Sequence, residues 1–453
     1  MPVQRTPEQE AVVKNRGGGL LVSAAAGSGK TRVLVERLLD RILTEGKNVD
    51  EFLIITFTRA AAEELRGRIG QELAQALAAQ PDNGHLRRQS GKLYQTQIST
   101  IHAFCTVLLR QWGHLLDVPA DFALCEEEEA QVLMDRTLNQ VLEARYEEVD
   151  PEGNFARLLD ILSAGRDDSR LMDIALDVYG KIQSAQDPMA WLEVQRKALD
   201  LSGITDVGQT PWGALLLEEA RDTAAYWAGQ MAKACALSQE DAALEKAYGE
   251  SLQTTQQGLE AFCQAASQGW DQAAQAHIPF PRLKAARGVE AIGAQEQIKA
   301  IREGCKKAVE GMLDPFASDS AALLEDMALV YPAMMGLIDL VEDFSQAYAQ
   351  EKKKRNLLDF SDLEHFAVRL LTDEAGQPTD LARQWGAQYT EIMVDEYQDT
   401  NEVQNTIFQA LSQGGRNLFL VGDVKQSIYR FRLADPTIFL EKYRTFPPYD
   451  QAR

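Results

Sequence analysis

Eight residues near the amino terminus, Ala24-Ala25-Ala26-Gly27-Ser28-Gly29-Lys30-Thr31, combine small side chains with a lysine and a hydroxyl. Small residues let a backbone curl until several N–H groups point at an anion, and a following helix adds its positive end. The apolar run Leu20 to Ser23 before this turn, and the helical spacing of Val33, Leu34, Leu38 and Ile42 after it, fit the phosphate-binding pattern G-x-x-x-x-G-K-[ST]. Ala24 stands at its first glycine. In such a loop Lys30 reaches the β- and γ-phosphates and the Thr31 hydroxyl ligates Mg²⁺, so the expected ligand is ATP with its metal. Far downstream, Ile392-Met393-Val394-Asp395-Glu396 is an apolar strand ending in two carboxylates. Asp395 would hold Mg²⁺ through water, and Glu396 would accept a proton from the attacking water. Taken singly, the first stretch is also a small-residue turn and the second a solvated loop. Nucleotide hydrolysis needs both halves, and the chain carries both.

The elements that must position these residues alternate at the two ends of the chain. Leu20 to Ser23, Phe52 to Thr56, Gln97 to Thr100, Glu391 to Asp395 and Asn417 to Val421 read as strands. Helical patterns follow from Lys30, from Ala60 to Ala78 and from Ala103 to Leu109, which predicts a parallel sheet with covering helices. Between about Pro119 and Lys354 the texture is helical only. Asp150-Pro151-Glu152-Gly153, Thr210-Pro211 and Ile278-Pro279-Phe280-Pro281 mark turns within it. The acidic run Glu126 to Glu129 reads as a solvated helix start. An α/β sheet domain interrupted by a long all-helical insertion is the simplest architecture.

Composition narrows the class. The 453 residues carry 46 Lys plus Arg against 68 Asp plus Glu, a formal charge of −22. That balance argues against non-specific coating of nucleic acid, while leaving room for a narrow basic groove. No uninterrupted apolar run approaches the ~20 residues that span a bilayer, so no membrane is expected. The first residues lack the apolar core of a secretory signal. Five scattered cysteines without a C-x-x-C pair suit buried thiols in a reducing compartment. A cytoplasmic protein is expected.

Val394-Asp-Glu-Tyr-Gln-Asp-Thr400 together with Gly422-Asp-Val-Lys-Gln-Ser-Ile-Tyr-Arg-Phe-Arg432 resembles motifs II and III of superfamily-one DNA helicases. Within that superfamily the run continuing to Pro436 most resembles the AddA type, a family of ATP-dependent helicase/nuclease subunits. The UvrD and PcrA type usually carries acidic residues at Val424-Lys425 and tryptophan at Phe431. The resemblance follows motif order along the chain, dense over residues 6 to 112 and 357 to 444 and weak in the helical middle. It implies a RecA-like domain 1A over 1–118 and 356–453, interrupted by a helical domain 1B over 119–355. It places Gln9 at the glutamine that holds adenine and Gln426 at the glutamine that senses the γ-phosphate. Thr56-Phe57-Thr58 with Ala60 to Leu65 resembles motif Ia, Ser99 to Phe104 motif Ic, and Leu358 to Leu363 motif Id.

These motifs imply contacts with single-stranded DNA from Phe57, Thr58, Thr100, His102, Tyr429, Arg430, Phe431 and Arg432. Physical chemistry supports the assignment independently. Aromatic rings stack on bases whatever the sequence, at roughly 1–3 kcal/mol per base, and arginines meet phosphates. Core packing is the competing role for Phe57 and Phe431, and a structural role the competing one for His102. The resemblance further implies DNA ends as substrate, an AddB-type partner in a heterodimer, and a role in double-strand break repair. The chain stops at Arg453, shortly after motif III, so the second RecA-like domain and the nuclease domain of the AddA type are expected to lie outside it. A UvrD/PcrA-type repair helicase without nuclease is one rival reading. A nucleotide-gated DNA-binding module without catalysis is the other.

Overall fold

The computed structural model describes residues 5–16, 18–25, 27–162, 168–427 and 433–448. The chain divides into two compact units, one of residues 1–148, 165–192 and 339–453, the other of 149–164 and 193–338.

The first unit is built on a five-stranded sheet. Its strands are β1 (Leu20–Ser23), β2 (Phe52–Thr56), β3 (Gln97–Thr100), β6 (Glu391–Val394) and β7 (Leu418–Gly422). They run in the order β1-β7-β6-β2-β3, every pair parallel. The period-two alternation of a strand sorts their side chains onto two faces. Leu53, Ile55, Ile392, Val394, Leu418 and Leu420 join one buried cluster, with Phe104, Leu108, Leu363 and Ile407 from three helices. Ile54, Met393, Phe419 and Val421 join the other, with Leu34, Leu38 and Ile42 of the helix Lys30–Glu45 and Leu65 of the helix Arg59–Ala79. Each fully buried Leu or Ile stabilises by about 1.5–3 kcal/mol over exposure, which holds the helices on both faces.

One buried charge cluster joins the amino end of β6 to two helices. Arg37, 1% exposed, makes a two-pronged pair with Glu391 at 2.7 and 3.0 Å. It also donates to the carbonyls of Val12 and Asn15 and lies over the Phe419 ring. Fork-to-fork pairing of this kind satisfies several donors and acceptors of both ions.

A two-stranded parallel sheet, β4 (Ala123–Leu124) with β5 (Leu357–Leu358), falls at the two ends of the stretch read as purely helical. Two-residue strands carry too little periodicity to be seen in sequence. The stretch itself divides. The helices Glu127–Glu147 and Ser169–Ile182, and the residues of the helix Ser320–Lys354 from 339 onward, are counted with the sheet. Tyr179, Phe344 and Tyr348 pack there ring against ring. The second unit has its own core, formed by Ala224, Met231, Leu252, Phe262 and Trp270 among others. The turn signals fall where the sequence puts them. Thr210 caps the helix that begins at Pro211, and Gly153 closes a turn onto Asp150.

One helix, Ser320–Lys354, is long and apolar enough to cross a membrane by length and composition alone, despite an internal Pro332. Inspection of uninterrupted apolar runs passes over it because scattered acidic residues break the run.

Candidate functional site

In a parallel sheet every strand delivers its following loop to the same edge. The register Ser23↔Gly422, Val394↔Leu420, Ile55↔Val394 and Thr56↔Thr100 therefore gathers the residues after five strands at one carboxyl edge. Open α/β sheets bind ligands there.

The loop after β1 is anchored by its Ala24 N–H, which donates to the Gly422 carbonyl at 3.0 Å. Ala24 is not among the residues with positive φ, so nothing in its backbone requires the glycine of the usual pattern. Gly27 and Gly29, at φ +74° and +87°, occupy the left-handed region that side chains avoid. Gly29 begins the helix Lys30–Glu45 without a side-chain cap. First-turn N–H groups and the positive end of the helix dipole are thus presented to a ligand. Lys30 and Thr31 sit in that first turn.

Lys30 Nζ donates to Glu396 Oε2 at 2.9 Å, joining two residues 366 positions apart. Asp395 accepts the Glu396 N–H at 3.0 Å, and Glu396 itself is held at φ +52°. A non-glycine residue in that region stores strain of order 1–3 kcal/mol, and such residues gather at functional sites. Burial, reinforced by the neighbouring Glu396 charge, pushes the Asp395 carboxyl up to about 6, against smaller opposing effects from the Glu396 N–H and Lys30. Gln398, buried, donates to Glu396 Oε2 at 2.9 Å and accepts the Asp423 N–H at 2.9 Å. Gln426 in turn donates to Asp423. A hydrogen-bonded chain thus runs from Lys30 through Glu396 and Gln398 to Asp423 and Gln426, across the ends of β6 and β7.

Gln9 is placed differently from a free adenine-binding amide. Its Oε1 accepts the Thr6 N–H in a capping box, and its Nε2 donates to the Ser28 carbonyl at 3.0 Å. It braces the phosphate-type loop from behind. Among the described residues no group of three or more His, Cys, Asp or Glu is arranged to hold a metal. One carboxylate and one hydroxyl nevertheless fit the mode of Mg²⁺, which keeps several waters and takes the rest of its shell from phosphates.

A cavity of about 500 Å³ opens beside this edge. Its wall includes Asp395, Glu396, Phe57, Thr100, His102 and Phe360, but none of residues 24 to 31. Phe57 is half-buried, so the ring both packs and faces the cavity. Thr58 and Thr100 cap helices, accepting the N–H groups of Ala61 and Ala103. His102 Nε2 lies 3.0 Å from Glu364 Oε1, with its ring 4.8 Å from that of Phe360. Ala26, Tyr429, Arg430, Phe431 and Arg432 lie outside the described residues.

Sequence reasoning passed over four residues that the structure draws into the site. Gln398 lay unremarked inside the quoted Asp-Glu-Tyr-Gln run. Glu364 stands one position beyond the Leu358 to Leu363 match, and Asn401 and Gln404 follow Thr400. Glu364 is 5% exposed. Burial pushes its carboxyl up, but donors from His102, Gln404 and Asn401 outweigh that and hold it below the usual range. The only advance signal was a lone acid in an otherwise apolar helix face.

Residues 5–447 match the UvrD/REP helicase N-terminal domain family. With its parallel sheet and the loop and carboxylates at the sheet's edge, the chain belongs to that family. Among curated relatives, it is similar to the AddA-type ATP-dependent helicase/nuclease subunit of Heliobacterium modesticaldum, 38% identical over 98% of this chain and 34% of the relative. Those of Lachnoclostridium phytofermentans (39%, 97% and 33%) and Geobacillus thermodenitrificans (36%, 97% and 36%) bear the same name. The chain spans about a third of the length of these relatives.

Proposed function

We propose that this chain is the ATP-binding, DNA-contacting portion of an AddA-type helicase/nuclease that acts in double-strand break repair and recombination. The observation that carries the reading is the Lys30–Glu396 contact. It brings the phosphate-type loop against the two carboxylates of β6, the pair of elements that nucleotide hydrolysis requires. When Mg-ATP enters, Lys30 exchanges Glu396 for the β- and γ-phosphates, which frees the Glu396 carboxylate to take the proton of the attacking water. Thr31 and Asp395 hold the metal, which supplies charge neutralisation at the phosphates. Gln426, tethered through Asp423 and Gln398 to Glu396, reports the γ-phosphate. Gln9 combines an adenine contact with its bracing of the loop, the amide exchanging one protein partner for the base.

Single-stranded DNA runs over the cavity beside the same edge, met by Phe57, Thr58, Thr100 and His102, with Tyr429, Arg430, Phe431 and Arg432 completing the path. The first compact unit corresponds to the RecA-like domain 1A and the helical segment to domain 1B. Translocation needs a second RecA-like domain to close on the nucleotide and supply arginines, which commonly contribute 10³–10⁵ in rate. The AddB-type partner, the nuclease and the processing of DNA ends belong to that larger cytoplasmic assembly.

Calorimetry with Mg-ATP tests the nucleotide half. Lys30→Ala should abolish binding, because the ammonium is the main side-chain charge for the phosphates. Glu396→Gln should keep binding and, in the full-length protein, lose DNA-stimulated turnover. Equal affinities of wild type and Lys30→Ala would defeat the loop assignment, and normal turnover in Glu396→Gln would assign the base elsewhere.

A further inference from the structure

We propose that Glu364 is a positioning residue through which occupancy of the DNA cavity and occupancy of the nucleotide site sense one another. The inference rests on the ATP and DNA reading above and names the residue that links its two halves.

Glu364 lies on the helix Phe360–Leu371, whose apolar side shares one core with the helices Ile101–Trp112 and Glu402–Leu411. Its carboxylate takes donors from both neighbours. From the first comes His102, Nε2 at 3.0 Å. From the second come Gln404 Nε2 at 2.8 Å and Asn401 Nδ2 at 3.5 Å. An ionised carboxylate accepts only, so the imidazole must present an N–H to it. With Glu364 5% exposed, bulk water cannot replace a partner that leaves. Losing one donor leaves a buried charge short of a hydrogen bond, a state the protein avoids by moving the remaining donors.

Those remaining donors lead to the nucleotide carboxylates. Asn401 caps the helix Glu402–Leu411, accepting the Gln404 N–H at 2.8 Å. The turn Tyr397–Asp399 just before it starts at Glu396. Tyr397, Gln398 and Thr400 are all buried, and Tyr397 OH is tied to Asn405 at 2.7 Å. A close-packed segment of this kind transmits a displacement and does not absorb it. His102, on the other side, is about a third exposed and lines the cavity. A DNA strand that engages His102 therefore alters the donor set of Glu364, and the change reaches Glu396 through Asn401 and the turn. By linkage, nucleotide binding must alter DNA affinity by the same factor.

The experiment measures the dissociation constant of labelled oligo(dT) for residues 1–453, with and without a non-hydrolysable Mg-ATP analogue. In wild type the two values should differ at least about fivefold, the lower end of ordinary allosteric couplings. Glu364→Gln should bring the ratio close to one while calorimetry finds analogue binding unchanged, because Glu364 is remote from the phosphate-type loop. Gln404→Leu, which breaks the link from the other helix, should give the same result. Adding His102→Ala to Glu364→Gln should change the ratio no further. A wild-type ratio preserved in a folded Glu364→Gln and in Gln404→Leu would overturn the proposal, as would a ratio of one in wild type. Failure of wild type to bind oligo(dT) or the analogue at all would instead overturn the reading on which it rests.

Discussion

Asp395→Asn should stabilise the protein at pH 8 and lose that advantage by about pH 4. The structure holds this carboxyl near 6 against an ordinary value of 3.8, chiefly through burial and secondly through the Glu396 charge. Between those two values the folded chain holds a proton that the unfolded chain has released. Stability from this group is therefore greatest below the unfolded value, falls as pH rises through the window, and is fully lost above about 6. A shift of about two units is worth roughly 3 kcal/mol at 1.36 kcal/mol per unit; partial exposure of the residue argues for about 1–2. Asparagine keeps the Oδ1 that accepts the Glu396 N–H at 3.0 Å but carries no charge to desolvate. Urea unfolding of wild type and variant in parallel, at pH 8, 6 and 4.5, measures the difference directly. The expected advantage is about 1–2 kcal/mol at pH 8, shrinking through pH 6. An equal advantage at all three values would mean that packing, not charge, separates the two proteins. No advantage at pH 8 would show that the carboxylate is already compensated. The same physics predicts that saturating Mg-ATP reverses the order at pH 8, because a bound cation makes the ionised form the favoured one.

Arg37→Ala should destabilise by about 3–5 kcal/mol, since it strands Glu391 without its two-pronged partner in a buried site; a loss under 1 kcal/mol in denaturant titration would mean that Arg41, 3.1 Å from Glu391, suffices. Gly422→Ala would set a Cβ 2.4 Å from Gln398 Oε1. The chain from Glu396 to Asp423 should then break, and Mg-ATP turnover of the full-length protein should fall more than its Mg-ATP affinity; unchanged turnover would remove Gln398 from the mechanism. Phe431→Ala should weaken single-strand binding with little change in its salt dependence, because stacking releases few counterions, whereas Arg430→Ala should flatten that dependence. A drop in melting temperature in Phe431→Ala would place the ring in the core instead.

Some of this protein can be read from residue order alone. The strands and the turn after β1 were legible because their signals are local: a continuous apolar run for a doubly covered strand, glycines where φ must be positive, a threonine before a helix. The pairing of Lys30 with Glu396 was legible as chemistry, since each half is useless to a nucleotide without the other. Neighbourhood across the sheet was not. Whether β7 or β2 lies beside β6 depends on which apolar faces bury best together, a property of the whole assembly. For the same reason the helices at 127–147 and 169–182 sort with the sheet, although their composition matches that of the helical segment between them. The roles of Gln9, Thr58 and Thr100 as braces and caps, the rise of the Asp395 carboxyl, and the meeting of His102, Gln404 and Asn401 at Glu364 all depend on burial and on distances of about 3 Å between residues far apart in the chain. A residue type states what a side chain can donate, accept or ionise. Only the packed structure decides which partner it meets, how much water is left, and therefore which of those capacities is used.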